Sequence, residues 1–179
     1  IADLTILFVL VTAFVITYLP HIFLISCWLN FILDYMFFRI MKSIENNFDH
    51  PQVNDLLRKH FIELRSVSPE GSTHVLDIPG LKDSSIKFWS LWDVDELVGC
   101  GALKFLDKQH GEFKSIRVAD KFRRKGMGEK IISHLIDQAR EIGIKKLSIE
   151  TGAGNFFKPA RKLFQKFGFK TCKPFAHYK

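Results

Sequence analysis

Hydrophobic and polar positions divide the chain near residue 38. From Leu4 to Asn30 there is no Asp, Glu, Lys or Arg, and the apolar runs Leu4–Leu19 and Ile22–Leu33 are separated only by Pro20 and His21. About 20 apolar residues cross a bilayer as a helix, so residues 1–38 are expected to form a membrane anchor, either kinked at Pro20 or with the Pro20-His21 pair near one surface. Trp28 and Tyr35 would then lie at the interface. Arg39 and Lys42 would hold the rest of the chain in the cytoplasm, against the inner membrane. Two other readings stay open. The segment could be a buried core helix, or it could lie outside the true reading frame, since the chain opens on Ile1 and both Met36 and Met41 could serve as starts. A secretory signal peptide is not expected, because there is no basic leader and no small-residue cleavage site.

Residues 39–179 carry the pattern of one mixed α/β domain. Phe38–Ile44 alternates apolar and polar side chains as a half-buried strand does. Asp49 or His50 before Pro51 is a helix-start signal, and Val53, Leu56, Leu57, His60, Phe61 and Leu64 follow at helical spacing. Ser68–Ser72 reads as a loop. Ile86–Trp92 and Glu96–Leu106, joined by Asp93-Val94-Asp95, form an antiparallel hairpin, and Glu112–Val118 is another strand. Ile131, Ile132, Leu135, Ile136, Ala139 and Ile142 share one face of a helix, which Gly143 ends. Lys146–Thr151 is expected as a strand and Pro159–Phe167 as a helix closed by Gly168. Phe169–Cys172 is expected to begin a last strand.

Composition narrows the class. The 179 residues are 47% hydrophobic and 25% charged. Those values exclude a disordered acidic chain, a collagen-like repeat and a disulfide-dense miniprotein. Cys27, Cys100 and Cys172 are odd in number and far apart, so they match neither a zinc site nor a disulfide framework, and no metal is expected. The net charge of +7 is unevenly held: residues 1–40 carry one arginine and two aspartates, whereas residues 41–179 carry 25 basic and 17 acidic side chains. A basic excess of that size suits nucleic acid, anionic lipid or a small polyanionic ligand.

The turn Arg123-Arg124-Lys125-Gly126-Met127-Gly128 points to the last of these. It follows a strand and opens a helix, so several backbone N–H groups gather at the positive end of a helix dipole, where phosphate binds. It is not a Walker A loop, because no Lys-Ser/Thr pair follows the glycines. It also lacks the third glycine of the dinucleotide fingerprint, since Ile131 stands there.

With the order of elements around it, this turn resembles the pyrophosphate loop of the GNAT superfamily of acetyl-CoA-dependent N-acetyltransferases. The resemblance covers roughly Arg39 to Lys179. It is carried by Arg123-x-x-Gly126-x-Gly128, by Ala160-x-x-Leu163-Phe164-x-x-x-Gly168-Phe169, and by the small-residue strand Leu97–Leu103. Ser68–His74, Gly111–Ser115 and Glu150-Thr151-Gly152 are similar to a bacterial group of that superfamily associated with small amino-acid or indole-acid substrates. The resemblance implies an α/β (α+β) fold: one domain with a mixed, mostly antiparallel central sheet flanked by helices. It implies acetyl-CoA as co-substrate, with its pyrophosphate on Arg123, Arg124, Lys125, Gly126, Met127 and Gly128. The pantetheine arm would lie along Ile116, Arg117 and Val118, and a bulge in that strand would turn an N–H toward the thioester oxygen. The amine would attack the thioester directly, leaving a proton to remove. The expected partner is a small-molecule amine, not nucleic acid, and the assembly a monomer or homodimer.

Glu112 and Glu150 are the candidate bases, acting directly or through water. As alternatives, Glu112 only pairs with Lys114 or Arg117, and Glu150 only caps the turn that follows. His74, after the Ser68–Ser72 loop, is the candidate substrate contact, and His110 reads as a turn residue beside Gly111. Departures from the family pattern leave a second function open. Phe164 stands where many members have the tyrosine that protonates the CoA thiolate, and Tyr178 is a weak substitute. A further strand would be expected after Lys179. On this second reading the chain binds CoA without turnover and is tethered or truncated.

Overall fold

The computed structural model describes residues 41–68, 75–176 and 178. The expectations for residues 1–38 and for His74 lie outside the described residues. Among the described residues no helix is long and apolar enough to cross a membrane.

The described part is built on five strands: β1 (Lys42–Glu45), β2 (Ile86–Asp93), β3 (Glu96–Phe105), β4 (His110–Val118) and β5 (Lys146–Ile149). They lie in sequence order in one sheet. β1 to β4 form an antiparallel meander. β5 pairs parallel to β4 and is reached through a helix, as a parallel crossover requires. The helices are α1 (Pro51–Val67), the short α2 (Ile78–Leu81), α3 (Met127–Ile142) and α4 (Lys158–Lys166).

Side chains alternate across the strands, so each strand feeds both faces. Phe88, Trp92, Cys100 and Ala102 bury against Val53, Leu56 and Leu57 of α1. Trp89, Leu91, Leu103 and Phe113 bury against Ile131, Ile132, Leu135 and Ala139 of α3 and Phe164 of α4. β3 is therefore covered on both sides, and its small residues become a packing requirement. A Cβ on Gly99 would lie 2.3 Å from the Arg117 carbonyl oxygen and 2.6 Å from Ile131 Cδ1.

The local signals behave as expected at most ends. His50 caps α1, its Nδ1 accepting from Gln52 N–H at 3.2 Å. Gln52 then ties the helix start to the β2–β3 hairpin: its Nε2 donates to the Asp95 carbonyl at 3.0 Å, and its Oε1 accepts from Leu97 N–H at 2.9 Å. Gly143 ends α3 in the left-handed region, at φ 92°.

Two expectations need correction. Phe169–Cys172 is not a strand. Among the described residues no strand pairs with it, and a strand requires a ladder partner; Phe169 N–H donates instead to the Phe164 carbonyl at 3.2 Å, and its ring lies 5.8 Å from both Phe113 and Phe164. β5 stops at Ile149, short of Thr151, because its pairing with β4 ends at Phe113↔Ile149.

Candidate active site

The end of that pairing creates the site. β4 runs on for five residues, Lys114 to Val118, after β5 has left it. Over the same stretch β4 bulges. Cys100 faces Arg117 and Ala102 faces Lys114, so three steps on β4 oppose two on β3. Ser115 absorbs the extra residue at φ 50°. A bulge bends its strand and re-aims its peptide groups. The result is a cavity of about 1220 Å³ between β4, the segment after β5, the C-terminal half of α1, and α4.

One end of the cavity is the basic turn. Asp120–Phe122 forms a single 3-10 turn, Arg123 is extended, and Arg124 and Gly126 both take positive φ, 59° and 76°. Gly126 is the N-cap of α3, so the chain passes from left-handed backbone straight into the helix. Alternating conformations of this kind aim successive N–H groups into one concavity. Arg123, Arg124, Gly126, Met127 and Gly128 line the cavity, as do Ile116, Arg117 and Val118. Lys125 does not: its Nζ lies 5.8 Å from the centroid of the Phe122 ring.

The two candidate carboxylates occupy different layers. Glu150, just past β5, is exposed and on the cavity wall. Glu112 is 0% exposed and lies behind the wall. Its Oε1 is 3.1 Å from Lys114 Nζ and accepts a hydrogen bond from the Tyr178 hydroxyl, while Lys114 Nζ donates to the same Tyr178 oxygen at 2.6 Å. Glu112 Oε2 is buried with no hydrogen-bond partner. Lys114 itself reaches the wall. Burial, then the Glu112 carboxylate, pushes the Tyr178 phenol well above its ordinary pKa, so it stays protonated at any physiological pH. The ion pair foreseen between Glu112 and Lys114 is therefore present, with Tyr178 completing a closed triad.

Phe164 is buried in the α3-side core and also lines the cavity. Its ring provides packing and no proton. His110 opens β4, with its Nε2 2.8 Å from Ser148 Oγ. Among the described residues no group of three or more His, Cys, Asp or Glu side chains is arranged to hold a metal ion.

The sequence reading missed the charged group that α1 presents to the cavity. Arg117 pairs with Glu63 and lies 3.6 Å from Asp120; Arg123 lies 3.8 Å from Glu63 and 2.9 Å from Asp120. His60 stands beside them on the cavity wall, 7% exposed. One signal was available: His60 continues the apolar stripe Val53, Leu56, Leu57, where a histidine has to be neutral to be buried. Burial first, then Arg117 and Arg123, lower its pKa from 6.5 to about 4.

That depression has a consequence for stability. Below about pH 6.5 the unfolded chain takes a proton that the folded chain refuses. Stability present above pH 6.5 is lost as pH falls toward 4, by on the order of 3 kcal/mol. Urea unfolding at pH 7 and pH 4.5 should show this loss, and His60→Asn should remove most of the difference. An equal loss in the variant would assign the acid sensitivity to other groups.

Residues 50–169 match the sequence profile of the acetyltransferase (GNAT) family. The chain belongs to the GNAT family. YsnE of Bacillus subtilis, an uncharacterized N-acetyltransferase, is 46% identical over 127 residues, spanning 71% of this chain and 84% of the relative. YedL of Escherichia coli, likewise an uncharacterized N-acetyltransferase, is 39% identical over 130 residues, spanning 73% and 82%. The crystal structure of a GNAT family acetyltransferase from Elizabethkingia anophelis with acetyl-CoA bound superposes with a TM-score of 0.55 at 23% identity, over 74% of this chain and 78% of that one. That likeness extends to the fold: a single GNAT domain, α+β, with a five-stranded, mostly antiparallel open sheet. Family and relatives together support acyltransferase activity.

Proposed function

We propose that this GNAT domain transfers the acetyl group of acetyl-CoA to the amine of a small molecule or amino acid by direct attack. One observation carries the reading: a single cavity joins the turn at the start of α3, where Arg124 and Gly126 are left-handed, to the bulged stretch of β4, which stays paired with β3 but has left β5. The turn offers N–H groups and a helix N-terminus to a pyrophosphate. The free edge of Ile116–Val118 can pair with the amide groups of a pantetheine arm as an added strand would. The bulge at Ser115–Ile116 supplies a backbone N–H for the oxygen of the thioester, where charge develops in the transition state.

On this reading Glu112 is the proton acceptor. Its Oε2 lacks a hydrogen-bond donor, and a buried carboxylate oxygen in that condition favours a bridging water or an ammonium group. Glu150, at the rim, draws the cationic amine in. Phe164 has no proton to give, so the departing thiolate takes its proton from solvent.

Isothermal titration with acetyl-CoA, followed by an acceptor screen that measures CoA release from amino acids, polyamines and peptide N-termini, tests the proposal. Saturable binding and release with at least one small amine is expected. No binding by the folded protein would overturn the cofactor reading. Binding without release from any acceptor would favour a CoA-binding protein that does not turn over.

A further inference from the structure

Glu112 is placed to hold a proton but not to touch an acceptor. It is 0% exposed and stands behind the cavity wall, still covered by β5, since Glu112 pairs with Ser148 in the parallel ladder. That ladder ends at Phe113↔Ile149, so Lys114 is the first residue of β4 beyond it. Residues two apart on a strand share a face, and this pair straddles the point where β5 leaves. Lys114 is 8% exposed and lines the cavity, immediately before Ser115 of the bulge. Its Nζ lies 3.1 Å from Glu112 Oε1.

Tyr178 does not offer another way through. Among the described residues, the cavity wall includes Lys114 but neither Glu112 nor Tyr178. The Tyr178 hydroxyl donates to Glu112 Oε1 and accepts from Lys114 Nζ at 2.6 Å. Burial and the Glu112 carboxylate keep that phenol protonated, so it orients the pair and carries no proton between them. Within the triad, the lysine nitrogen is the polar group that joins the cavity to the carboxylate.

We infer that Lys114 is a further catalytic residue: its Nζ takes the proton of the acceptor amine, having first handed one of its own to Glu112. This rests on the acetyl-transfer reading above and names the group through which Glu112 acts. Buried ions lose their hydration, so an ammonium and a carboxylate in contact can exchange a proton and become a neutral amine and acid. In that first step an Nζ–H bond breaks and an O–H bond forms at Oε1. The acceptor ammonium then gives a proton to the Nζ lone pair and becomes a free amine. The amine attacks the thioester carbonyl, the C–N bond forms and the C–S bond breaks. The second proton lost by the nitrogen goes to solvent, and the thiolate takes one from solvent. After the product leaves, Nζ gives a proton to water in the cavity and recovers the one on Oε1. The ion pair is restored, with one proton released per turnover.

Variants of the pair test this, read by CoA release with an amine that the native enzyme acetylates and by calorimetry with acetyl-CoA. Arginine keeps the positive charge and can donate to Glu112, but it does not give up its proton. Lys114→Arg should therefore lower kcat by at least about 10²-fold, with the acetyl-CoA Kd within about twofold of native. A kcat within about threefold of native would overturn the inference, leaving Lys114 the counter-ion of a base that works through water. Arginine is bulkier, so Lys114→Met is the second variant, compared with Glu112→Gln and with the two changes combined. Each single change strands one buried charge and should lower the thermal midpoint, whereas the double change removes both and should recover stability. The rate should not recover with it, because residues that act as a unit give a double loss no larger than the greater single loss. Recovery of kcat together with stability, or losses that multiply, would overturn the inference. Acetyl-CoA binding with no CoA release from any amine by the native enzyme would instead overturn the transferase reading, and this inference with it.

Discussion

Glu112→Gln is expected to lower kcat by about 10²- to 10⁴-fold, the usual range for a general base, while the acetyl-CoA Kd changes by less than about twofold. The separation follows from the layering of the site. Glu112 is fully buried behind the wall, so it makes no part of the surface that receives the cofactor. Glutamine keeps the shape of the side chain and can still accept from the Tyr178 hydroxyl. It cannot take up a proton at neutral pH, and it leaves the Lys114 ammonium without its carboxylate. Removing one member of a buried ion pair is itself destabilising, so thermal unfolding should be followed in parallel and rates compared well below the midpoint. Unchanged kcat in the folded variant would reduce Glu112 to the counter-ion of Lys114. Glu150→Gln would then be the variant to examine, since Glu150 lies on the wall itself.

Gly126→Val is expected to weaken acetyl-CoA binding by on the order of 10²-fold, as read by calorimetry. Gly126 stands at φ 76°, and a Cβ there would meet nothing within 4 Å, so no clash opposes the change. The penalty comes from the backbone. A β-branched residue in the left-handed region is a genuine outlier, and the turn would relax to another conformation and scatter the N–H groups it gathers. Gly143→Val is the control. It sits at φ 92° at the other end of α3, also with open space around it. It should cost comparable stability and leave the cofactor Kd close to native. Equal losses of affinity in both variants would mean that strain in α3, and not the local cradle, controls binding.

The same contrast shows what was legible in the sequence. The basic turn could be read because its signal is local: two glycines, three cations and an amphipathic helix fall within a short span, and the turn conformation follows from Gly126. The order of strands and helices could be read for the same reason. The Phe169–Cys172 strand is absent because a strand exists only beside a partner, and which segments come to lie side by side is not a local property. The placement of Glu112 was half legible. An ion pair with Lys114 follows from their position two apart on one strand face. That Tyr178 closes the pair, 66 residues away in sequence, does not.

His60 and Glu63 mark the boundary most clearly. Periodicity alone put His60 on the buried stripe of α1. Nothing in the spacing indicated that α1 would cross β4 at Arg117, because that contact joins residues 54 apart. The sequence by itself determined the order of strands and helices, the glycine-bearing basic turn and the strand that carries the candidate base, since each depends on neighbours along the chain. Only the tertiary structure decided where β5 leaves β4, which carboxylate faces the cavity and which buried polar atoms among the described residues lack a hydrogen-bond partner. Those depend on how separate segments divide a limited set of hydrogen bonds and a limited volume, and no local pattern encodes that division.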